Sequence, residues 1–304
     1  MTRDGSGQSP PWPTKTREIQ NMLMDSTRWN DFRFRDDDIV VATWSKSGTT
    51  WMQQIISQLV FDGSETVFGS AESPWIDFQL TPDAVEVAEA QVHRRFLKTH
   101  LPLDALVFSP RAKYIYVGRD ARDVAWSLHH HMTHFAPAAF EMFGEVVRRT
   151  GAAPPPPIPD DVATFYRVWL ETDATSDTSF FANVRGWWDA RELPNVLLVH
   201  YARLKADLPG EFRRIADFLD IPVDEAKLPE MLQHCGLEHM KDRAAQVAFI
   251  EQIFDGGGRT FVNKGVDGRW RDVLTADEIA RCDVVAARTL FPGCAAWLRT
   301  GTQR

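Results

Sequence analysis

A strand, a short polar loop and a helix start run together between Ile39 and Trp51, and this juncture limits what the chain can become. Ile39-Val40-Val41 is a β-branched run that reads as a buried strand. The chain breaks into Thr43-Trp44-Ser45-Lys46-Ser47-Gly48-Thr49-Thr50, then resumes as a helix from Trp51 to Val60 with Met52, Ile55, Ile56 and Leu59 at helical spacing. The first amides of a helix lack intrahelical partners and the helix dipole favours negative charge there, so this is an anion site by construction. Lys46 adds a full positive charge, and Ser47, Thr49 and Thr50 add hydroxyl donors. The competing reading is an ordinary strand–turn–helix junction with a surface Lys. The coincidence of charge, hydroxyls and Gly48 at one helix start favours the anion site. The order of residues excludes a Walker A loop, in which the Lys follows a Gly, and no strand ends in a carboxylate suited to Mg²⁺. The loop therefore suits a phosphate held without a metal.

Composition narrows the class further. The chain has 304 residues, 44% hydrophobic and 25% charged, as expected of a globular protein able to bury a core without disulfides or metals. A net charge of −8 argues against non-specific nucleic-acid binding. Cys235, Cys282 and Cys294 form neither a disulfide framework nor a metal spacing, so a reducing, cytoplasmic location is expected. No apolar run approaches the ~20 residues of a membrane span, and no membrane partner is expected. Residues 1–15, rich in Gly, Ser and Pro, read as a disordered tail that is neither signal peptide nor anchor, with a single domain over 16–304.

Along the chain, short helices are expected at 19–29 and 81–93, and a loop at 70–80. Asp36-Asp37-Asp38 reads as the exposed start of the first strand. Further strands are expected at 96–100, 113–117 and 195–200. Helices are expected at 121–131, from Val162, and at 180–191, 208–219, 224–235 and 275–290. Residues 132–160, with the run Pro154 to Pro157, read as irregular, and 241–269 as a second weak region made flexible by Gly256-Gly257-Gly258. Strands alternating with helices predict an α/β doubly wound parallel sheet, with ligands at the carboxyl ends of its strands. Lys46, His100 and Arg119 each follow a strand and would share that edge.

Three more stretches carry chemistry. Arg119 leaves a strand and Ser127 lies two helical turns on, a pair suited to a bidentate phosphate grip plus a hydroxyl; the alternative pairs Arg119 with Asp120 or Asp123 at the surface. In Lys98-Thr99-His100, a His at a strand end beside a Lys suits a general base, against the more common structural His. Asn263-Lys264-Gly265 opens a segment without periodicity in which Gly permits close approach of backbone to a ligand. The run His129-His130-His131 with His134 invites a metal reading, but no H-E-x-x-H accompanies it, and no metal is expected.

Taken together, the chain resembles the cytosolic sulfotransferases. Thr43 to Trp51 looks like that family's 5′-phosphosulfate loop, T-Y-P-K-S-G-T-T-W. Lys98-Thr99-His100-Leu101-Pro102 is similar to its K-T-H-L-P segment, and Tyr116 to Ser127 to its 3′-phosphate block with the Arg-to-Ser spacing kept. Val199 to Lys205 looks like its Y-E-D-L-K stretch, and Phe261 to Trp270 like its closing R-K-G-x-x-G-D-W segment. The likeness runs over about residues 25–295.

The resemblance implies a P-loop-like three-layer fold with a central parallel sheet flanked by helices. It implies transfer of a sulfuryl group from 3′-phosphoadenosine 5′-phosphosulfate (PAPS) to a small alcohol, phenol or amine, leaving 3′-phosphoadenosine 5′-phosphate (PAP). By resemblance, Lys46 with Ser47, Gly48, Thr49 and Thr50 holds the 5′ side. Arg119, Ser127, Lys264 and Gly265 hold the 3′-phosphate, Trp51 and Tyr201 contact adenine, His100 takes the acceptor proton, and Lys98 sits beside the transferring group. Asn263 stands where the family has an Arg on the 3′-phosphate, with Arg259 and Arg269 as the nearest compensating charges; Arg269 replaces an Asp, Leu237 an aromatic and Cys235 a Thr. The family's dimer signature is reduced to Thr275, with Arg271, Ala276 and Ala280 at its other positions, which implies a monomer or weak homodimer. Trp75, Phe78, His134, Phe135, Phe140 and Phe254 are the candidate walls of an apolar or aromatic acceptor pocket.

Overall fold

Burial on both faces makes the central strands continuous apolar runs, and they form one parallel sheet. In the computed structural model, which describes residues 11–302, β1 (Ile39–Thr43), β2 (Phe96–Thr99), β3 (Lys113–Gly118) and β4 (Val196–His200) pair in the order β2-β1-β3-β4. Val41 aligns with Lys98 on one side and Ile115 on the other, so all strand ends emerge at one edge. β1 lies between β2 and β3, so the chain crosses from β1 to one side and then back past it to the other, which puts the loop after β1 at the point where strand order reverses, where open parallel sheets bind ligands.

Helices fill the segments between the strands. They are α1 (Thr49–Val60), α2 (Gly69–Glu72), α3 (Ala84–Ala90), α4 (Ala121–Thr133), α5 (Pro137–Thr150), α6 (Val162–Thr172) and α7 (Phe180–Asp189). Then come α8 (Tyr201–Ala206), α9 (Leu208–Leu219), α10 (Leu228–His234), α11 (Leu237–Ala244), α12 (Ala248–Ile253), α13 (Gly257–Phe261), α14 (Ala276–Ala286) and α15 (Pro292–Thr300). Alternate strand residues point to opposite faces. Ile39, Val41, Ile115 and Val117 pack with Met52 and Ile55 of α1 and Phe212 and Ile215 of α9. Val40, Ala42, Tyr114 and Tyr116 pack with Val124 of α4, Tyr166 of α6, Trp187 of α7 and Trp297 of α15. The result is the expected three-layer arrangement.

Several local expectations are corrected. Residues 132–160 are not irregular throughout: Pro137 stands in the first turn of α5, where its missing N–H costs nothing, and Gly151 ends it in the left-handed region at φ 69°. The four prolines after it have no regular structure. The weak region 241–269 contains α11, α12 and α13, whose Met240, Ala244, Ile250 and Ile253 gather with Phe254 into a small separate core. Residues 19–29 form no α-helix but isolated β-bridges at Gln20, Met24 and Asp25 and a 3-10 turn, Ser26–Trp29, because Asn21 and Asp25 accept hydrogen bonds from nearby amides and compete with a helix. The helix expected over 224–235 starts at Leu228, since Pro229 fits only a first turn. The loop 70–80 carries the short α2, and α8 and α15 are additional. Asp38 is no exposed strand start: it is buried and bridges Arg95 with bonds of 2.7 and 2.5 Å. Residues 1–10 of the expected tail lie outside the described residues, whereas Trp12 stacks on Phe108 and Lys15 binds Asn30 at 2.6 Å.

Gly118 closes β3 immediately before Arg119. A Cβ there would lie 2.4 Å from the buried Trp297 ring, so this position admits only glycine without repacking the core.

Candidate active site

The loop after β1 bends through two left-handed residues, Lys46 at φ 67° and Gly48 at φ 116°. A side chain at Gly48 would strike the Tyr201 ring at 2.8 Å, so glycine is required both for the turn and for the close approach of α8. Gly48 is the N-cap of α1 and supplies no side-chain cap, so the helix amides face the loop. Ser47 and Thr50 make no side-chain hydrogen bond among the described residues, while Thr49 is tied to Thr43 at 2.6 Å.

His100 follows β2 and is buried. Its Nδ1 lies 2.8 Å from the Thr43 carbonyl, which only accepts, so Nδ1 carries the proton and donates it. Nε2 is left with its lone pair and has no hydrogen-bond partner among the described residues. Burial, reinforced by the positive charge of Lys98, pushes the His100 pKa well below the usual imidazole range, so the ring is neutral at pH 7. Lys98 lies 3.9 Å over the Trp75 ring, which also meets His100 edge-on at 4.6 Å. Trp75 is fixed from behind: its indole N–H donates to buried Asp77 at 2.6 Å, and Trp29 donates to the other carboxylate oxygen at 2.8 Å. Burial holds the Lys98 pKa down at about 8, with Asp77 opposing.

Lys46 reaches His131 on α4, where its ammonium donates to Nδ1 at 3.0 Å. Burial, then repulsion from Lys98 and Arg119, brings Lys46 down to about 7. His131 is held well below the imidazole range by burial and by Lys46, which keeps it neutral and able to accept. Its ring is surrounded by Phe135, Phe254 and Phe261. Neither the length of the histidine run nor its spacing marks this role; only the packing of α4 against the β1 loop does. Among the described residues no group of three or more His, Cys, Asp or Glu side chains is arranged to hold a metal.

Arg119 is buried and sits 4.1 Å over the face of Tyr201, whose ring in turn meets Trp51 edge-on at 5.3 Å. Of the two readings of Arg119, the surface pair with Asp120 or Asp123 is absent. Asp120 is taken by Arg122 at 2.9 and 2.7 Å, and Asp123 accepts from the Gly268 amide at 2.6 Å. Arg119 instead donates to the Lys46 carbonyl at 3.1 Å and to Asp267 at 2.6 Å, and its buried Nε has no partner among the described residues. Ser127 is half-buried on α4 and makes no side-chain hydrogen bond among the described residues. Lys264 is exposed; Gly265 at φ 64° turns the loop, and its carbonyl accepts from Lys205 at 2.8 Å. Asn263 is half-buried, and Arg259 is occupied by Asp242 rather than turned toward Arg119.

Of the candidate acceptor walls, Trp75 stacks on Phe78 at 4.1 Å, and Phe135 packs on Phe254 at 5.3 Å. Phe249 and Phe261 join them. His134 stands apart, turned back onto His130, while Phe140 touches Phe135 edge-on at 6.3 Å but is 55% exposed.

A sulfotransferase-domain family model matches residues 36–291. A glycolipid sulfotransferase from Mycobacterium bovis (strain BCG / Pasteur 1173P2) is 33% identical over 95% of this chain and 96% of its own length. Human sulfotransferase 1C2 is 26% identical over 91% and 93%. Among solved structures, mouse sulfotransferase SULT7A1 complexed with PAP aligns at a TM-score of 0.68 with 22% identity, over 91% of each chain. Retinol dehydratase in a complex with retinol and PAP aligns at 0.63 with 23% identity, over 88% of this chain and 84% of that one. Both share the fold, with a central parallel sheet between helical layers. Since the family model runs from just ahead of β1 to the start of α15, the chain belongs to the sulfotransferase family and is a sulfotransferase.

Proposed function

We propose that this sulfotransferase takes its sulfuryl group from PAPS and passes it in line to a hydroxyl carried on an apolar or aromatic body, with His100 as general base. The observation that carries this reading is the tautomer of His100. A neutral ring whose Nδ1–H is spent on the Thr43 carbonyl has its basic nitrogen available, beside two lysines, at the carboxyl edge of the sheet.

The residues present suit the donor. Buried Arg119 has an unpaired Nε, and Trp51 keeps an unpartnered buried indole N–H beside Tyr201. With donor and acceptor bound, His100 Nε2 would take the acceptor O–H proton, the donor supplying the sulfuryl group and carrying away the phosphate as its leaving group. Lys46 and the α1 amides stabilise the charge left on that phosphate, and Lys98 balances the sulfuryl oxygens. Sulfuryl transfer needs positioning and charge more than covalent help, and two lysines supply that charge without a metal. Arg119, Ser127, Asn263, Lys264 and Gly265 take the 3′-phosphate side.

Trp75, Phe78, Phe135 and Phe254 form an aromatic surround that fits an apolar acceptor body. The name of the mycobacterial relative favours a second reading within this class, a hydroxyl on a glycolipid. Transfer of labelled sulfate from PAPS to a panel of phenols, alkyl alcohols and a lipid-linked sugar tests both. Transfer to at least one of these without added divalent metal is expected, and transfer to none overturns the reading. Lys264→Ala is expected to weaken PAP binding roughly tenfold while changing adenosine 5′-phosphate binding little, read by calorimetry. Equal losses would remove Lys264 from the 3′-phosphate.

A further inference from the structure

The counter-ion of Arg119 comes from the segment that closes the site. Asp267 presents one carboxylate oxygen to the Arg119 guanidinium at 2.6 Å and the other to the Lys205 ammonium at 3.1 Å. Two cations converging on two oxygens of one anion is the partner set that a phosphate takes. The other carboxylates near Arg119 are engaged elsewhere, Asp120 by Arg122 and Asp123 by the Gly268 amide. Arg119 is 8% exposed, and its Nε is a buried donor without a partner among the described residues. A cavity of about 130 Å³ adjoins it, lined in part by Tyr201, Asp267, Trp270 and Arg271. The guanidinium is thus still one bond short with Asp267 in place.

We propose that Asp267 is a specificity-determining residue that stands in for the nucleotide's 3′-phosphate on Arg119 and Lys205. A nucleotide bearing a 3′-phosphate must displace it, and a nucleotide with a free 3′-hydroxyl leaves it paired. This rests on the assignment of Arg119 to the 3′-phosphate made above.

Two consequences follow from charge. A 3′-phosphate entering this site meets a carboxylate of its own sign within a partly buried, low-dielectric region, and like charges there repel far more than in water. Asn263 adds no cation to offset it, and Arg259 is held by Asp242. Discrimination in favour of the 3′-phosphate is therefore reduced. Conversely, a carboxylate facing a ribose hydroxyl accepts its hydrogen bond, the same logic by which an acidic residue selects a hydroxyl over a phosphate in dinucleotide folds. Release of PAP is also hastened, because Asp267 returns to its two cations as the phosphate leaves.

The test is calorimetric binding of PAP and of adenosine 5′-phosphate, at one ionic strength, to the unmodified chain, Asp267→Asn and Arg119→Ala. Asp267→Asn is expected to bind PAP at least about tenfold tighter while binding adenosine 5′-phosphate within about twofold of the unmodified chain. Unchanged or weaker PAP binding overturns the proposal. If Asp267 served only to fasten its loop, Asp267→Asn would weaken both nucleotides together, which also overturns it. Arg119→Ala separates the underlying assignment. A loss confined to PAP upholds Arg119 as the 3′-phosphate residue, so an unmoved Asp267→Asn then refutes the proposal alone. An equal loss of both nucleotides refutes the assignment, and the proposal falls with it.

Discussion

Replacing His100 with alanine is expected to lower kcat by about 10³-fold while PAP binding stays within about threefold of the unmodified chain. Its Nδ1–H is spent on Thr43, so the ring contributes one free nitrogen, and alanine removes that base without removing a charge from the phosphate loop. The pH profile carries the same assignment. Burial and Lys98 hold the His100 pKa well below 6.5, so the ring stays neutral as pH falls through the ordinary imidazole range. Protonation would destroy its ability to accept the acceptor proton. The acid limb of kcat/KM should therefore lie below pH 6.5, and a rate that falls already between pH 7 and 6.5 would count against His100. Wild-type turnover in His100→Ala would remove it from the mechanism, and retention of the thermal transition would show that the loss is not one of folding.

Lys46→Ala is the second large effect, a loss of about 10²- to 10³-fold in kcat, the scale found when one preorganised donor to a developing oxyanion is removed. This lysine adds a pH dependence of opposite sense. With its pKa brought down to about 7 by burial and by Lys98 and Arg119, the free enzyme loses the ammonium as pH rises through neutrality. kcat/KM for the donor is therefore expected to fall above about pH 7. Bound anionic donor favours the charged form, so kcat should hold to higher pH. Lys46→Arg keeps its charge at every accessible pH and should flatten that alkaline fall in kcat/KM even where its absolute rate is lower. A fall that persists unchanged in Lys46→Arg would assign the alkaline limb to another group.

The interaction of Lys46 with His131 bears on both results. The ammonium lies 3.0 Å from His131 Nδ1 and 5.4 Å from the Phe261 ring centroid, on the aromatic side of the site. A turn with Lys46 at positive φ sets the direction from which the side chain starts. Burial pulls both groups toward their neutral forms, reinforced at Lys46 by Lys98 and Arg119 and at His131 by Lys46.

How much of this was legible in the chain differs from residue to residue. The strand Ile39 to Thr43, the helix after Gly48 and the placement of Lys46, His100 and Arg119 at one sheet edge follow from local pattern: a buried β-branched run, a polar break and a helical period each have short-range causes. The helix Pro137–Thr150 carried its own signals, a first-turn Pro and a terminal Gly, but they lie beside a proline run that dominates the composition of the segment. The helices between Leu237 and Phe261 are too short to be stable alone and hold together by closing a small core, which no local pattern encodes.

By itself, then, the sequence determined an α/β sheet with a lysine-bearing loop at a helix start, and a sulfotransferase family. The tertiary structure alone decided which residues meet. Arg119 turned from its sequence neighbours Asp120 and Asp123 to Asp267, because Arg122 and the Gly268 amide had claimed those carboxylates. His131, one of three consecutive histidines, became the partner of Lys46, because α4 presents only that ring to the β1 loop. Asp77 came to anchor Trp75 behind Lys98 and His100. These pairings join residues up to 148 positions apart, and charge and hydrogen bonding act over a few ångströms of space whatever the separation along the chain.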